Sequence, residues 1–90
     1  MPKFLVYHPI PTPVTPEEAA PVAKAAKANS TLDAYWVKSW AQMTQDGKIS
    51  KIICEWNAAN VEALVEVLKK VPAPCEGPYP MMVVDCENYR

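Results

Sequence analysis

The sequence predicts an α+β fold whose strands and helices follow one another in the order β-α-β-β-α-β. Three observations support this prediction. A capping sequence starts a helix at Thr15, the pair Asp46-Gly47 marks a turn between two strand-like segments, and apolar residues recur at helical spacing within residues 57–71. The 90 residues are expected to form a single domain spanning residues 1–90.

The first strand is predicted at residues 3–10, an apolar and aromatic run that ends in prolines. Regular hydrogen bonding is not expected in the segment that follows, because its prolines lack N–H donors. Thr15 is then the N-cap of the first helix, Pro16 its first residue and Glu18 its capping-box partner. Pro21 removes a hydrogen bond within this helix, so a kink or a delayed start is expected.

Two strands are predicted after the first helix, which ends at residues 29–30. They cover residues 34–43 and 48–56. Asp46 and Gly47 between them are typical of a two-residue type I′ turn, which needs positive φ at both positions. The sequence therefore predicts a β-hairpin in the middle of the chain.

The second helix is expected to have Asn57 as its N-cap, and a proline-rich loop then leads to a last strand at residues 81–86. This order is the ferredoxin-like plan, a sandwich in which a four-stranded antiparallel sheet carries two helices on one face. The other face of the sheet, called the open face below, is free to meet a partner or a ligand. The second helix is predicted from apolar residues that recur at helical spacing, namely Val61, Leu64, Val65 and Leu68.

The two-residue turn determines which residues of the hairpin lie opposite each other. It places Lys38 opposite Glu55 and Trp40 opposite Ile53 on the open face, together with Trp36. A bulge would move one strand's residues to the other face. The remaining residues of the hairpin are expected to face the helices, namely Val37, Ala41, Ile52, Cys54 and Trp56.

His8 and Asp85 are also placed on the open face, because neither belongs unpaired beneath helices. Phe4 and Val6 would share the side of His8 by alternation along the strand. The opposite placement remains an alternative. In it, Leu5 and Tyr7 form the apolar pair on the open face. The apolar residues of this face predict either a homodimer formed through it or a pocket between two subunits.

Composition excludes several classes of protein. Nine basic and ten acidic residues give a net charge of −1, whereas a nucleic-acid-binding protein is expected to show a basic stripe. No apolar run reaches the roughly 20 residues of a membrane span, and the first residues lack a signal-peptide pattern. Cys54, Cys75 and Cys86 form no closely spaced pair, which favours a reducing, cytoplasmic location. Neither nucleic acid nor a membrane is expected as a partner.

Several motifs resemble those of a known family. They are the first strand ending in His8, the T-P-E-E start at Thr15, the W-V-K-S run at residues 36–39 and the following strand with its Cys54. They resemble the small bacterial ferredoxin-like domains of unknown function that include a nickel-binding member. The resemblance implies a dimeric α/β-barrel type assembly and a divalent metal such as nickel. As donors for such a metal we consider His8 with Glu55 and Asp85.

Two function classes are weighed. The first is a small cytoplasmic dimeric binding protein in which Trp36, Lys38, Trp40 and Ile53 contact a ligand or the second subunit. The alternative is a small cofactor-free enzyme of the muconolactone isomerase or monooxygenase type, with its site on the open face. In that enzyme the acid–base residues would be His8, Lys38 and Glu55. A purely structural or interaction protein needs only the dimer.

Overall fold

The computed structural model describes residues 1–89, which contain four strands, two α-helices and one short 3₁₀ helix. All strand pairings are antiparallel, and the order across the sheet is β2-β3-β1-β4. The predicted α+β fold with its antiparallel sheet and two helices is confirmed, and this strand order is ferredoxin-like. The elements are β1 (Lys3–Val14), α1 (Pro16–Asn29), β2 (Ala34–Met43), β3 (Ile49–Ala58), α2 (Val61–Leu68), β4 (Glu76–Met81) and the 3₁₀ helix (Cys86–Tyr89).

The start of α1 is held by the predicted capping box. The Thr15 hydroxyl accepts a hydrogen bond from the Glu18 backbone N–H at 3.2 Å, and the Glu18 carboxylate accepts one from the Thr15 N–H at 2.9 Å. The helix begins at Pro16 and continues through Pro21, so the expected delayed start is wrong. Its end at Asn29, with Ser30 as the C-cap, agrees with the prediction.

Several boundaries differ from the sequence prediction. β1 continues through the proline-rich segment to Val14 instead of ending at residue 10, with an irregular register between Pro9 and Val14. The N-cap of α2 is Asn60, whose side chain accepts a hydrogen bond from the Ala63 N–H at 2.8 Å. Asn57 cannot serve because β3 continues past it to Ala58. The last strand covers Glu76–Met81 instead of residues 81–86, so Asp85 lies outside the sheet and is exposed.

The central hairpin turns through three residues, not two. Thr44 pairs with Lys48 through an N–H to carbonyl hydrogen bond of 2.7 Å, and the Gly47 N–H donates to the Thr44 carbonyl at 3.1 Å. Gly47 has φ of +81° while Asp46 does not have positive φ, which describes a type I turn followed by a left-handed glycine. The predicted type I′ turn is therefore wrong.

A bulge restores the predicted register beyond the turn. Met43 pairs with Ile49 but Gln42 pairs with Lys51, so Ser50 is an extra residue on β3. The predicted pairs from Lys38 to Gln42 are confirmed as a result, including Lys38 with Glu55, Trp40 with Ile53 and Ser39 with Cys54.

A second bulge changes the face of one tryptophan. Between Lys38 and Trp36 the register shifts again, so Val37 is the extra residue and Trp36 lies opposite Trp56. Trp56 is buried against the helices, so Trp36 lies on the helix side and Val37 is exposed. The placement of Trp36 on the open face and of Val37 against the helices is wrong for this reason.

The faces of β1 are also reversed relative to the sequence prediction. Phe4, Val6 and His8 point into the helix side and are buried, with exposures of 6, 0 and 7%. Leu5 and Tyr7 take the open face, as the alternative placement has it. His8 tolerates burial because its ring is hydrogen-bonded, as described below.

The core lies between the helices and the sheet. It is a cluster of buried residues, namely Phe4, Val6, Ala26, Ala34, Cys54, Trp56, Ala58, Leu64, Val67 and Val71.

No helix within residues 1–89 is long and apolar enough to span a bilayer.

Candidate functional site

A cavity of about 370 Å³ lies between α1 and the helix side of the sheet. Its sheet wall includes Trp36 and Trp56, whose indole rings sit on neighbouring strands. Its helix wall is made of small side chains, since α1 is rich in alanine and an alanine side chain is a single carbon. The alanines of α1 that line the cavity are Ala19, Ala20, Ala23 and Ala26.

Four polar side chains line this mostly apolar cavity. Three come from adjacent strands, namely His8 on β1, Ser39 on β2 and Cys54 on β3, and the fourth is Glu18 at the start of α1. Ser39 lies directly opposite Cys54, and His8 lies one diagonal step from Cys54 because Val6 is the direct partner of Cys54 on β1. Diagonal neighbours of this kind have Cα atoms about 7–8 Å apart.

The ring of His8 is oriented by the backbone. Its Nδ1 lies 3.0 Å from the carbonyl oxygen of Pro74, in the loop before β4. A carbonyl can only accept, so Nδ1 carries the hydrogen and Nε2 of the neutral ring is an acceptor. A buried histidine with its tautomer selected in this way can accept a hydrogen bond from a bound hydroxyl or amide group.

Ser39 connects Trp36 to Cys54. The Trp36 indole N–H donates to the Ser39 hydroxyl at 2.8 Å, and that hydroxyl donates to the Cys54 sulfur at 3.0 Å. Burial raises the pKa of the Cys54 thiol, and the hydrogen bond from Ser39 opposes this only in part. Cys54 is therefore a neutral thiol near pH 7, which makes it a polarisable wall group and a poor nucleophile.

The indole N–H of Trp56 is buried and finds no hydrogen-bond partner among residues 1–89. Trp56 itself is 1% exposed and lines the cavity. A buried donor without a partner costs about 1–3 kcal/mol. Trp56 with its unpaired N–H therefore lies in the same cavity wall as Trp36 and Cys54.

The open face carries a different set of groups. Lys3 forms an ion pair with Glu55 and donates a hydrogen bond to the Asn57 side chain at 2.9 Å. The Asn57 side-chain amide donates to the Tyr35 hydroxyl at 3.1 Å. These residues form a polar network at one end of the face. Glu55, a candidate acid–base residue, is thus bound by Lys3 from β1 rather than by Lys38.

Lys38 and Trp40 lie on the open face as predicted. The ammonium group of Lys38 is 5.3 Å from the centroid of the Trp40 ring, a cation–π distance. Trp40 is 51% exposed, and Ile53 beside it is half-buried. The predicted interface residues are therefore divided, since Lys38, Trp40 and Ile53 are on the open face and Trp36 is in the cavity wall.

The three predicted metal donors do not meet within the chain. His8 faces the helices, Glu55 faces the opposite side of the sheet, and Asp85 lies outside the sheet. Within residues 1–89, no three His, Cys, Asp or Glu side chains come together in a way that could hold a metal ion. His8, Glu55 and Asp85 of one chain are therefore too far apart in the fold to bind one nickel ion together.

The cavity itself was not predicted from the sequence. The pairing of Ser39 with Cys54 could be predicted, but the space above it depends on how far α1 stands from the sheet. The signal that points to this space is the run of alanines in residues 19–28, because such short side chains cannot fill the volume above two tryptophans.

The comparisons with known proteins leave the resemblance untested. The chain matches no family model, no curated protein and no solved structure.

Proposed function

We propose that this protein binds a small, mostly apolar molecule in the cavity between α1 and the sheet. The observation that carries the proposal is the cavity wall, which is mostly apolar, with polar groups that converge from β1, β2 and β3 and with Glu18 at the start of α1. Ligand sites in proteins typically combine a volume of about 300–1,000 Å³ with an apolar lining and a few placed polar groups. The cavity, at about 370 Å³, falls within that range.

The cavity is a recess that is partly open to solvent rather than an enclosed void, so its apolar walls are in contact with water. An apolar ligand would remove the apolar walls from water, a change worth about 25 cal/mol per Å². A donor group on the ligand would bond to His8 Nε2, while the indole rings of Trp36 and Trp56 would contact its apolar body.

A fluorescent apolar probe tests this proposal. N-Phenyl-1-naphthylamine is neutral, fits the volume and brightens in apolar surroundings. We expect saturable binding with a stoichiometry of one per chain. Ala20→Leu adds three carbons to the helix wall of the cavity and is expected to weaken binding about tenfold or more, equivalent to about 1.4 kcal/mol.

Ala28→Leu is the matched control, since it makes the same change on the same helix at an exposed residue outside the cavity wall. It should bind the probe as the parent protein does. Equal binding by both variants, or probe binding that never saturates, would show that the cavity is not the site. Thermal melting of both variants verifies that each is folded.

We propose further that two copies associate through their open faces, in a dimeric α/β-barrel type assembly. The support is the apolar surface on that face, where Trp40, Tyr79 and Met81 are 51, 46 and 41% exposed. Tyr79 contacts Tyr7 edge-on, with ring centroids 5.7 Å apart, so part of this surface is already ordered. Exposed apolar patches of this kind are typical of protein–protein interfaces.

Sedimentation equilibrium tests the dimer. Trp40→Asp should shift the protein toward the monomer, because it replaces the most exposed of these apolar side chains with a charge. Leu32→Asp is the control, since Leu32 is 92% exposed in the loop before β2 and away from the open face. A parent protein that remains monomeric at high concentration would refute the dimer and leave the cavity proposal unaffected.

A cofactor-free enzyme is the second candidate, favoured by the fixed tautomer of His8 in the cavity wall. In this candidate His8 Nε2 is the general base, and the site lies in the cavity rather than on the open face. Native mass spectrometry of the purified protein would identify a bound molecule. His8→Asn should retain that molecule but stop its conversion, whereas unchanged turnover would exclude His8 as the base.

Nickel binding through His8 stays a prediction of the resemblance, as does the cytoplasmic location. If the prediction holds, protein purified without a His tag carries metal in stoichiometric amount, and His8→Ala loses it. Elemental analysis of both forms decides the question, and metal-free parent protein after growth with added nickel would end it. Because Glu55 and Asp85 lie away from His8, a positive result would require other donors beside His8.

A further inference from the structure

The chain continues past β4 in a segment that is apolar and yet exposed. We call residues 82–89 the arm. Met82, Val83 and Val84 are 80, 68 and 62% exposed, and Tyr89 is 78% exposed. Methionine, valine and tyrosine side chains of a small domain are usually removed from water, so a run of this length marks a contact surface.

The arm leaves the sheet at a corner. The last pair between β4 and its neighbour joins Met81 to Lys3, which is the first residue of β1. Beyond this pair residues 82–85 belong to no helix, strand or turn, and the arm then forms the 3₁₀ helix Cys86–Tyr89. The high exposures show that the arm does not fold back on its own sheet.

The charges of the arm and of the open face are complementary. Residues 82–89 include two acidic and no basic residues, and the Asp85 carboxylate is exposed. On the open face, Lys38 and Lys51 have no carboxylate partner among residues 1–89, because Glu55 is bound by Lys3. These two lysines border the exposed ring of Trp40. An apolar segment followed by a carboxylate therefore fits an apolar ring bordered by cations.

We infer that the arm of one copy lies across the open face of a second copy. Val83 and its neighbours contact Trp40 and Ile53 there, and Asp85 pairs with Lys38 or Lys51. An extended chain advances about 3.3 Å per residue and strands lie about 4.8 Å apart, so residues 82–85 can cross two to three strands. The inference rests on the proposed dimer, and two-fold symmetry makes the exchange of arms reciprocal.

Cysteine cross-linking tests the contact, because the arm already contains the exposed Cys86. In a Cys75→Ser background, Gln42→Cys places a thiol on the open face beside Lys51 and leaves both lysines in place. We mix this variant, with Cys86→Ser, with a differently tagged chain that keeps Cys86. Mild oxidation should then yield a disulfide between the two tagged chains.

Glu62→Cys is the matched control, since Glu62 is exposed on α2, the helix layer on the other side of the sheet. It should give far less of the mixed product. Equal cross-linking at Gln42→Cys and Glu62→Cys would refute the contact, and so would the absence of a mixed product for Gln42→Cys.

Sedimentation equilibrium tests the contribution of the arm separately from the existence of the dimer. The double variant Val83→Ser, Val84→Ser should weaken association about tenfold or more, as loss of central apolar contacts does. Lys38→Glu should also weaken it, and Asp85→Lys added to Lys38→Glu should restore part of the loss. A parent dimer whose dissociation constant none of these variants changes would overturn the arm inference and leave the dimer standing. A monomeric parent protein would overturn both.

Discussion

Individual side chains in this protein owe their chemistry to the face they occupy. His8 and Cys54 lie under the helices with hydrogen-bond partners, whereas Lys38 is on the open face over an aromatic ring. Burial with a partner keeps His8 oriented, and burial of the Cys54 thiol raises its pKa. On the opposite face a histidine or cysteine would be exposed to solvent, and burial would neither orient its side chain nor raise a thiol pKa.

The three cysteines should differ in reactivity. Cys54 is buried and its thiol pKa is raised, whereas Cys75 and Cys86 are exposed. Titration with Ellman's reagent at pH 8 should therefore show two fast equivalents and one slow one, because the thiolate is the reacting form. Guanidinium should make all three fast. Cys54→Ser should remove only the slow equivalent, and three fast equivalents in the folded protein would contradict the burial of Cys54.

At the scale of elements, the capping box and the turn glycine were predictable because they depend on neighbouring residues. Thr15 and Glu18 are three positions apart and satisfy each other's backbone groups. Gly47 was predictable in position but not in turn type, since a two-residue and a three-residue loop share the same Asp-Gly signal. The N-cap of α2 was missed because β3 extends past Asn57.

Thr15→Ala should destabilise the fold by about 1 kcal/mol, because it removes the side-chain acceptor at the N-cap. In the folded protein, hydrogen bonds from Thr15 hold the pKa of Glu18 below its usual value. A lowered carboxyl pKa contributes stability that is present above the unfolded pKa and is lost as pH falls through the folded pKa. The largest cause of this lowered pKa is the hydrogen bond from the backbone N–H of residue 15, which Thr15→Ala keeps, so Glu18→Gln is the variant that removes the titrating group. Denaturant melts from pH 6 to 3 should therefore show a steeper acid loss in the parent than in Glu18→Gln. Identical slopes would contradict the capping box.

The two glycines form a matched pair of substitutions. At Gly47, φ is +81° and a Cβ would meet nothing within 4 Å, so Gly47→Ala should cost only the backbone strain, about 1–2 kcal/mol. At Gly77, φ is +102° and a Cβ would lie 3.1 Å from the Leu5 carbonyl oxygen and the Tyr79 nitrogen. Gly77→Ala should therefore cost more in urea unfolding. Equal costs would contradict the close approach at Gly77.

At the scale of the whole molecule, the order of the elements could be predicted, whereas the contents of the two sheet surfaces could be predicted only in part. The order of strands and helices follows from local sequence patterns, but the face on which each residue of the β2–β3 hairpin lies depends on two bulges. A valine at position 37 suits a strand whether it is paired or extra, so composition carries no signal for the shift. The cavity was missed for a related reason, since its volume depends on the distance between layers rather than on any one element.

Occupation of the cavity should stabilise the whole fold. A ligand that binds the folded state alone, at 100 times its dissociation constant, adds about 2.7 kcal/mol to the free energy of unfolding. Saturation with N-phenyl-1-naphthylamine should therefore raise the melting temperature of the parent protein and of Ala28→Leu. Ala20→Leu should show about half that stabilisation or less at the same probe concentration, since a tenfold weaker site gives about 1.4 kcal/mol. Equal shifts in all three proteins would place the probe elsewhere.

The bulge at Val37 divides the aromatic residues of β2 between two surfaces. Loss of that single codon would leave Trp36 opposite Trp56, because the residue removed is the unpaired one and the pairs on either side of it stay the same. A lineage could in this way shorten β2 by one residue while Trp36 keeps its place in the cavity wall and Trp40 its place on the open face. A deletion at this point of β2 should therefore be tolerated better than one inside a regularly paired strand, where every residue beyond it changes face.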